Sequence, residues 1–378
     1  MRSISWTEVC ARRLDRHGLA EPRTGASPAE IVGAMSGAHA QVLSAAELSV
    51  GLRIAGSTRQ NVRHALWTDR SLVKSFGPRG TVHLLPTRDL PLWTGALSGI
   101  PSTPSPFPAG IRMTPDQTEQ VVEAIGLALS DAELTVDELT EAVVERAGSW
   151  AGDLVMPAFQ DFWPRWRQAT TVAANRGVLC FGANRGRKVT YTNPHRWLPG
   201  FRPADPDAAL SNLVTRYLDA YGPATPQQFA RWLSAPISWA TALFKSLDLL
   251  AVQLDGTTAW LSTSTSAPEA NGVRLLPYFD AYTVGCYPRD LLFPGRAWER
   301  ALARGQAGNY PVLLVDGTVK GVWHQRRSGR KIDVTVEPFG QLTTDQKDAL
   351  DDQVLRIGEI LEGTPTLTIG AVTVGPHA

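Results

Sequence analysis

The sequence predicts a mixed α+β fold built from several domains, in which three helical modules precede a strand-rich C-terminal domain. Its 378 residues are too many for one compact core. In three successive regions, capped helices are followed by two short strands joined by a turn that contains glycine. After residue 272, strands predominate instead. We therefore predict modules at residues 1–100, 101–203 and 204–262, and a final domain at residues 272–378.

Helix-start signals recur along the first three modules. Each has Ser or Thr as the capping residue and Glu or Gln three residues later, a pair that satisfies backbone N–H groups reciprocally. Most also place proline or a small residue at the first helical position, which favours initiation. These signals begin at Ser27, Ser44, Thr114, Thr135 and Thr225.

Residues 1–100 show the helix-then-hairpin order first. The predicted helices are Trp6–His17, Pro28–Met35, Ala45–Ala55 and Thr58–Asp69, and the predicted strands are Leu72–Phe76 and Thr81–Leu85. A glycine-rich turn at residues 77–80 separates the two strands. Helices followed by such a hairpin are typical of the winged helix, a variant of the helix-turn-helix.

The same order recurs twice. In the second module we expect helices Pro115–Ser130, Val136–Ala147 and Leu154–Asn175 before strands Gly177–Phe181 and Lys188–Thr192. In the third we expect helices Pro206–Tyr221, Pro226–Leu233 and Pro236–Leu247 before strands Leu250–Leu254 and Thr257–Leu261, joined at Asp255-Gly256. Three copies in one chain predict three tandem winged-helix modules.

The C-terminal region has a different pattern. A linker rich in Ser, Thr and Pro at residues 262–271 leads into it. The predicted strands are Val273–Phe279, Pro311–Val315, Val319–His324, Ile332–Phe339 and Thr366–Val372, with one helix at Thr344–Glu362. This pattern predicts a small β-barrel or sandwich.

Composition and charge limit the function. The chain carries 37 Lys and Arg against 36 Asp and Glu, so a basic nucleic-acid-binding surface has to be local. Six of these cations are lysines, so most are arginines. Arginine suits phosphates and base edges, although a GC-rich genome gives the same bias.

Three distant cysteines predict neither disulfides nor a zinc site. The sequence lacks the pattern of a signal peptide or membrane span, so we expect a cytoplasmic protein.

The connection between the second and third predicted helices carries His39 and Gln41. These residues are two apart, so in an extended segment both side chains can point the same way. A histidine and a glutamine that converge can hold a water molecule and exchange hydrogen bonds with it. The alternative is a polar loop between helices, or a histidine that caps a helix C-terminus.

Four segments that occur in order along the chain resemble the AlkZ/YcaQ family of winged-helix DNA glycosylases. They are residues 35–53, residues 78–84 with Arg-Gly-Thr-x-His-Leu, residues 221–225, and residues 275–282 with Leu-Leu-Pro-x-Phe-Asp-x-Tyr. The resemblance covers nearly the whole chain. It implies tandem winged helices closed by a β-barrel, which agrees with the element pattern above.

The resemblance also implies site residues. The family's catalytic signature is Gln, a hydrophobic residue and Gln; Gln41 matches the second Gln and His39 replaces the first. This His-Ala-Gln variant resembles the subgroup that includes the hedamycin-resistance glycosylase. Asp280 is implied to face the DNA cleft, where a carboxylate can stabilise a sugar cation; alternatively, it pairs with Arg289 in a structural turn. We therefore predict His39, Gln41 and Asp280 as catalytic residues.

Basic residues cluster at the predicted hairpin tips, which are suited to contact phosphates or a minor groove. They are Arg79 in the first module, Arg185, Arg187 and Lys188 in the second, and His324, Arg326, Arg327 and Arg330 in the C-terminal domain. The alternative is an ordinary solvated turn. The aromatic side chains of Phe159, Phe162, Trp163 and Trp166 share one stripe of the predicted helix, which indicates core packing.

The resemblance implies a monofunctional DNA glycosylase that hydrolyses the N-glycosidic bond of N7-alkylated guanine in double-stranded DNA and leaves an abasic site. Bulky adducts of a hedamycin-like antibiotic are the expected substrates, with a role in self-resistance. We expect a nucleoid-associated monomer without metal or cofactor. Two alternatives are a non-enzymatic winged-helix regulator, which would bind one DNA sequence, and a protein that sequesters the drug without DNA.

Overall fold

A computed structural model describes residues 2–101, 107–158, 161–263 and 271–376. The described part has a mixed α+β fold in which three helical units precede a larger sheet. Most of the predicted linker at residues 262–271 lies outside the described residues. None of the helices that the structure describes is both long and apolar enough to cross a membrane.

The first unit contains nearly every element predicted for it. Its elements are β1 (Arg2–Ser3), α1 (Trp6–Arg16), α2 (Pro28–Ala34), β2 (Ala38–His39), α3 (Leu43–Gly51), α4 (Arg59–Trp67), β3 (Leu72–Phe76), β4 (Val82–Pro86) and α5 (Leu90–Ser98). The short strand β2 pairs with β4, which pairs with β3, and both pairings are antiparallel. The sequence analysis did not predict α5, which packs against a helix of the third unit.

The second unit repeats this order with an insertion. It comprises α6 (Pro115–Leu129), β5 (Glu133–Thr135), α7 (Val136–Ala147), β6 (Leu154–Pro157), β7 (Phe162–Pro164), α8 (Thr170–Asn175), β8 (Cys180–Phe181) and β9 (Thr190–Thr192). As in the first unit, the short strand β5 pairs with the last strand, β9, which also pairs with β8.

The predicted helix Leu154–Asn175 is wrong. The segment forms the β6–β7 hairpin and a 3-10 turn, and helix begins only at Thr170. Pro157 and Pro164 each lack the N–H that a continuous helix needs, which explains the break. The aromatic stripe is divided accordingly: Trp166 is buried, as predicted, whereas Phe162 and Trp163 are 52% and 44% exposed. Phe159 lies outside the described residues.

The third unit shows the order again. It comprises α9 (Pro206–Tyr221), α10 (Pro226–Leu233), α11 (Ile237–Lys245), β10 (Leu250–Leu254) and β11 (Thr257–Leu261). A single bridge between Ala224 and Trp260 stands where the other units have their short strand, and β1 joins the sheet beside β10. The repeated order is the one expected of a winged helix. That the three units are winged-helix modules stays a prediction.

The C-terminal domain forms a curled half-barrel sheet. Its elements are β12 (Val273–Leu276), α12 (Ala281–Gly285), α13 (Arg289–Leu292), α14 (Arg296–Arg300), β13 (Val312–Val315), β14 (Thr318–Ser328), β15 (Lys331–Pro338), α15 (Thr344–Leu361) and β16 (Thr364–Ile369). The strand order is β12-β13-β14-β15-β16, antiparallel except for the parallel pair β15–β16. Helix α15 contacts both edge strands, β12 and β16. The strand pattern predicted a small β-barrel or sandwich, and the structure shows a half-barrel of five strands.

Four of the five predicted capping boxes are present, at Ser27, Thr114, Thr135 and Thr225. The fifth, at Ser44, is wrong, because α3 begins at Leu43 after Val42, whose side chain makes no capping bond. Every residue from 45 to 51 in this helix is buried. Tertiary packing of this kind stabilises a helix more than its cap does, and here it determines where the helix begins.

Buried arginines connect the units to one another. Arg13 of α1 donates hydrogen bonds to the backbone carbonyls of Tyr221, Pro223 and Tyr287, at 2.9, 3.1 and 2.5 Å. These bonds tie the N-terminal helix to the third unit and to the C-terminal domain. A charged donor on a neutral carbonyl is among the stronger protein hydrogen bonds, so the relative positions of the units are well defined.

We expect stability to fall in mild acid because His17 is buried at the same junction. Its Nε2 lies 3.1 Å from the carbonyl of Ala220, and burial, aided by nearby Arg53, lowers its pKa to about 3. On acidification, protons therefore bind His17 of the unfolded chain first. The contribution of His17 to the free energy of unfolding is complete above pH 6.5 and declines as the pH falls toward 3. Between pH 7.5 and 5.5 the loss is about 1.4 kcal/mol in the free energy of unfolding.

Urea denaturation of His17→Gln at the two pH values checks this expectation. The glutamine amide can keep the bond to Ala220 but does not titrate, so the variant should lose less stability than the wild type on acidification. His64→Gln is the matched control, because the His64 side chain is 60% exposed. An equal pH response of wild type and His17→Gln would contradict the prediction.

Candidate active site

The candidate catalytic histidine lies on the short strand β2 of the first unit. Helix α2 ends before Gly37, whose φ of +97° lets the chain reverse and enter the strand. Antiparallel pairing with β4 then places His39 directly opposite His83. The histidine of the motif Arg-Gly-Thr-x-His-Leu is therefore a neighbour of the predicted catalytic residue.

Two aromatic rings enclose the His39 imidazole. Phe279 stacks on it with ring centroids 4.5 Å apart and 25° between the planes. His83 meets it edge to face, with centroids 5.2 Å apart and 67° between the planes. Phe279 adopts φ +54°, a left-handed conformation that costs about 1–3 kcal/mol for a residue with a side chain, and its N–H donates to Gly308 at 2.9 Å. The surrounding structure therefore holds the Phe279 ring against His39 at an energetic cost.

His39 lies in the wall of a cleft of about 790 Å³. All but the second unit contribute to it. The lining comprises His39, Arg79, Thr81, Gln228, Arg231, Phe279, Val284, Tyr287, Pro288, Arg289, Asp290, Trp298, Gly305, Gln306, Ala307 and Asn309. The Arg289 guanidinium lies 4.2 Å from the centroid of the Tyr287 ring, and Trp298 is 47% exposed. Three arginines, exposed Trp298 and half-buried Tyr287 give a surface suited to phosphates and planar groups.

Gln41 lies two residues beyond His39 and is exposed to solvent. It does not belong to the described residues that line the cleft. The structure therefore brings His39 into the cleft and leaves Gln41 outside its wall.

Asp280 does not face the cleft, contrary to the sequence-based expectation. Its side chain is fully buried and accepts hydrogen bonds from both terminal nitrogens of Arg53, at 2.8 and 2.9 Å, and from Ser49, at 2.7 Å. It also caps α12 through the N–H of Tyr282. Burial alone would raise the pKa of this carboxyl, but Arg53 and these hydrogen bonds bring it below its ordinary value. A carboxylate so fully engaged connects α3 to the C-terminal domain.

The alternative expectation, a pair between Asp280 and Arg289, is also wrong. Arg289 donates to the carbonyls of Thr283 and Val284 instead. The acid among the described cleft residues is Asp290, which follows Arg289 and is exposed. The sequence analysis gave Asp290 no role.

Arg79 lies at the turn between β3 and β4, as predicted, but it lines the cleft and does not project from it. Its guanidinium donates to the carbonyl of Trp232 in α10 at 2.9 Å. Burial lowers its pKa below the ordinary value for arginine. This hydrogen bond connects the turn between β3 and β4 to the third unit.

The other two tips differ in charge. In the second unit, Arg185 and Lys188 are exposed but pair with the acids Glu138 and Asp137, while Arg187 is exposed between them.

In the C-terminal domain, the two-residue turn between β14 and β15 carries Arg330 next to exposed Arg326 and Arg327. His324 lies lower on β14 and is half-buried, which lowers its pKa. Arg327 donates to the carbonyl of Leu361, which fastens this hairpin to α15.

The fold and the histidine-lined cleft together define a class of DNA-repair enzyme: the chain belongs to the AlkZ-like DNA glycosylase family. Residues 32–360 match the family described as "DNA glycosylase AlkZ-like". The chain is 34% identical over 336 residues to the interstrand DNA cross-link repair glycosylase of Streptomyces sahachiroi, covering 84% of this chain and 87% of that protein. Its fold matches the solved structure of Streptomyces sahachiroi DNA glycosylase AlkZ with a TM-score of 0.80 and 30% identity, covering 97% of this chain and 100% of that one.

Family membership confirms the resemblance on which the sequence analysis relied. The chain is a DNA glycosylase, a hydrolase that acts on N-glycosidic bonds in DNA. Sequence reasoning assigned no role to His83 or Phe279, which contact His39, or to Tyr287 and Trp298 in the cleft. His83 and Phe279 lie in two of the four segments that carry the resemblance, which was the signal available for finding them.

Proposed function

We propose that the enzyme hydrolyses the N-glycosidic bond of N7-alkylated guanine, with bulky adducts of a hedamycin-like antibiotic as its principal substrates. The product is an abasic site, and the biological role is self-resistance to the alkylating compound. The observation that carries this proposal is the cleft at His39, which combines a titratable side chain with three arginines, the exposed ring of Trp298 and the half-buried ring of Tyr287.

The size of the cleft favours a bulky substrate. At about 790 Å³, it lies toward the upper end of the range of about 300–1,000 Å³ found for pockets that bind drug-sized ligands. An enzyme that flips a lone base needs a close-fitting pocket. A wide cleft instead leaves room for an alkyl group that remains attached to the base.

The chemistry of the substrate reduces what the enzyme has to supply. An N7-alkylguanine carries a positive charge, so the base leaves as a neutral molecule and needs no proton from the protein. The remaining task is to position a water at C1′ and to stabilise the positive charge that develops on the sugar. We assign the water to His39, which in its neutral form can also accept the proton, assisted by Gln41 from outside the cleft wall. Asp290 replaces Asp280 as our candidate for stabilising the sugar cation.

DNA contacts follow from the placement of charge. The arginines in the cleft are suited to phosphates beside the lesion, and the tip with Arg326 and Arg330 is suited to a groove or to more distant phosphates. The tip with Arg185 and Lys188 is a weaker candidate because Glu138 and Asp137 neutralise much of its charge.

We expect the double substitution Arg326→Ala with Arg330→Ala to weaken binding to any duplex by a similar factor, because phosphate contacts do not depend on base sequence. Each lost contact should lower the slope of log affinity against log salt by about 0.9. Fluorescence anisotropy across a salt series measures both effects. Arg185→Ala is the matched control and should change the slope less. An unchanged slope in the double variant would exclude this tip from the DNA interface.

The decisive experiment uses duplexes that carry one N7-alkylguanine, either methylated or bearing a bulky drug. After incubation with the protein, abasic sites are cleaved chemically and strand breaks are counted. We expect breaks at the adduct, and more for the drug adduct than for the methyl group.

A third substrate, with the same lesion in an interstrand cross-link, tests the activity that the Streptomyces relative's name describes. Breaks with the methylated duplex alone would refute the bulky-substrate proposal. No breaks with any substrate, and tight binding to one unmodified sequence, would favour a regulator.

A further inference from the structure

His83 is the cross-strand partner of the proposed catalytic histidine. The two residues are directly paired in the β2–β4 ladder, and their rings are 5.2 Å apart, edge to face. His83 is 5% exposed and is not among the described residues that line the cleft, whereas His39 is. His83 therefore reaches the cleft through two neighbours that line it: His39 at the ring edge, and Thr81, whose carbonyl oxygen lies next to its Nδ1.

A backbone hydrogen bond fixes the orientation of the His83 ring. Its Nδ1 lies 2.9 Å from the carbonyl oxygen of Thr81. A carbonyl can only accept, so Nδ1 carries the proton and Nε2 keeps the lone pair in the neutral ring. Burial, with His39 and Arg79 as the nearby groups that disfavour a second positive charge, lowers the pKa of His83 well below its ordinary value. His83 therefore stays neutral at the pH at which the enzyme works.

The packing around this ring leaves it little freedom. A Cβ atom at Gly77 would lie 2.8 Å from both Cγ and Nδ1 of His83, so only glycine allows the ring to lie here. On its far side, His39 is covered by Phe279, which is held in a left-handed backbone conformation. The imidazole of His39 is thus bounded by one ring at its edge and another on its face.

We propose that His83 is a positioning residue, which together with Phe279 fixes the orientation of the His39 imidazole toward the cleft. The inference rests on the proposed function only in taking His39 as the residue that handles the attacking water. In this role His83 acts on His39 and not directly on the substrate.

A double-mutant cycle tests this proposal with the full-length protein and the alkylated duplex described above. His83→Phe keeps the ring but loses the hydrogen bond to Thr81. We expect its single-turnover rate to fall by about ten- to a hundredfold, because small displacements of a reacting group have effects of this size. Affinity for a duplex with an abasic-site analogue should not change. In a His39→Ala background the same substitution should cause no further loss, because a residue that acts only through His39 has nothing left to position.

A second readout does not depend on activity. In the free protein, the nuclear Overhauser effects between the ring protons of His39 and Phe279 should weaken in His83→Phe and stay unchanged in His64→Gln. His83→Asn, whose amide nitrogen can occupy the place of Nδ1, should retain more activity than His83→Ala.

The outcomes separate this inference from the proposed function. A normal rate in folded His83→Phe would overturn the positioning role, as would an undiminished effect of His83→Phe in the His39→Ala background. If the wild type cleaves no adduct, the proposed function fails, and the Overhauser effects between His39 and Phe279 decide the inference alone. Weakened effects in His83→Phe would then support the positioning role, and unchanged effects would refute it.

Discussion

Asp280→Asn should destabilise the protein by about 3–5 kcal/mol, because it leaves the charge of Arg53 buried without a partner. The Arg53 and Asp280 side chains are both fully inaccessible to solvent, and two hydrogen bonds join them. Neither water nor a conformational change of a surface side chain can compensate for the lost carboxylate. Urea denaturation followed by tryptophan fluorescence measures the effect.

The matched control for this substitution is Asp333→Asn, which removes an exposed carboxylate that pairs with Lys331. Exposed pairs contribute little, so no comparable loss is expected. Replacing both buried partners, as in Arg53→Met with Asp280→Leu, should recover part of the stability, since no lone charge remains. A stability of Asp280→Asn close to that of the wild type would show that Arg53 is not held as described.

His39→Ala should lower the single-turnover rate on an N7-alkylguanine duplex by about 10²–10⁴-fold, the range that a general base contributes. DNA affinity should change little, because the three cleft arginines remain. Gln41→Ala should have a smaller effect, since Gln41 lies outside the cleft wall. His39→Gln restores the residue of the family signature and should retain more activity than His39→Ala.

His64→Ala serves as the control for loss of a histidine, because His64 is exposed and pairs with Asp69. Equal rates for His39→Ala and the wild type would remove His39 from the mechanism. A loss confined to affinity would instead make it a residue of substrate binding.

The sequence predicted best where the signal is local. The capping boxes at Ser27 and Thr225 satisfy their own helices within four residues, so they form without a contribution from distant parts of the chain. The hairpin turn at Asp255-Gly256 is equally self-contained, and β10 and β11 are found as predicted. The repeated order of elements followed from such signals alone.

Local signals failed where contacts between residues far apart in the sequence determine the structure. The charge of Asp280 was visible, but its partner Arg53 is 227 residues away, and no spacing rule joins them. The helix predicted at Leu154–Asn175 rested on the period of its aromatic residues and gave too little weight to Pro157 and Pro164. His83 could be placed on a strand, but only the pairing of β2 with β4 shows that it faces His39.

The separation of Arg53 from Asp280 has a consequence for how the enzyme is made. A ribosome that has just added Arg53 must add 227 further residues before its partner Asp280 exists. Phe279, which covers His39, emerges at the same late stage. The nascent chain therefore carries His39 long before the C-terminal residues that complete its cleft exist, and an interrupted translation product would lack that cleft.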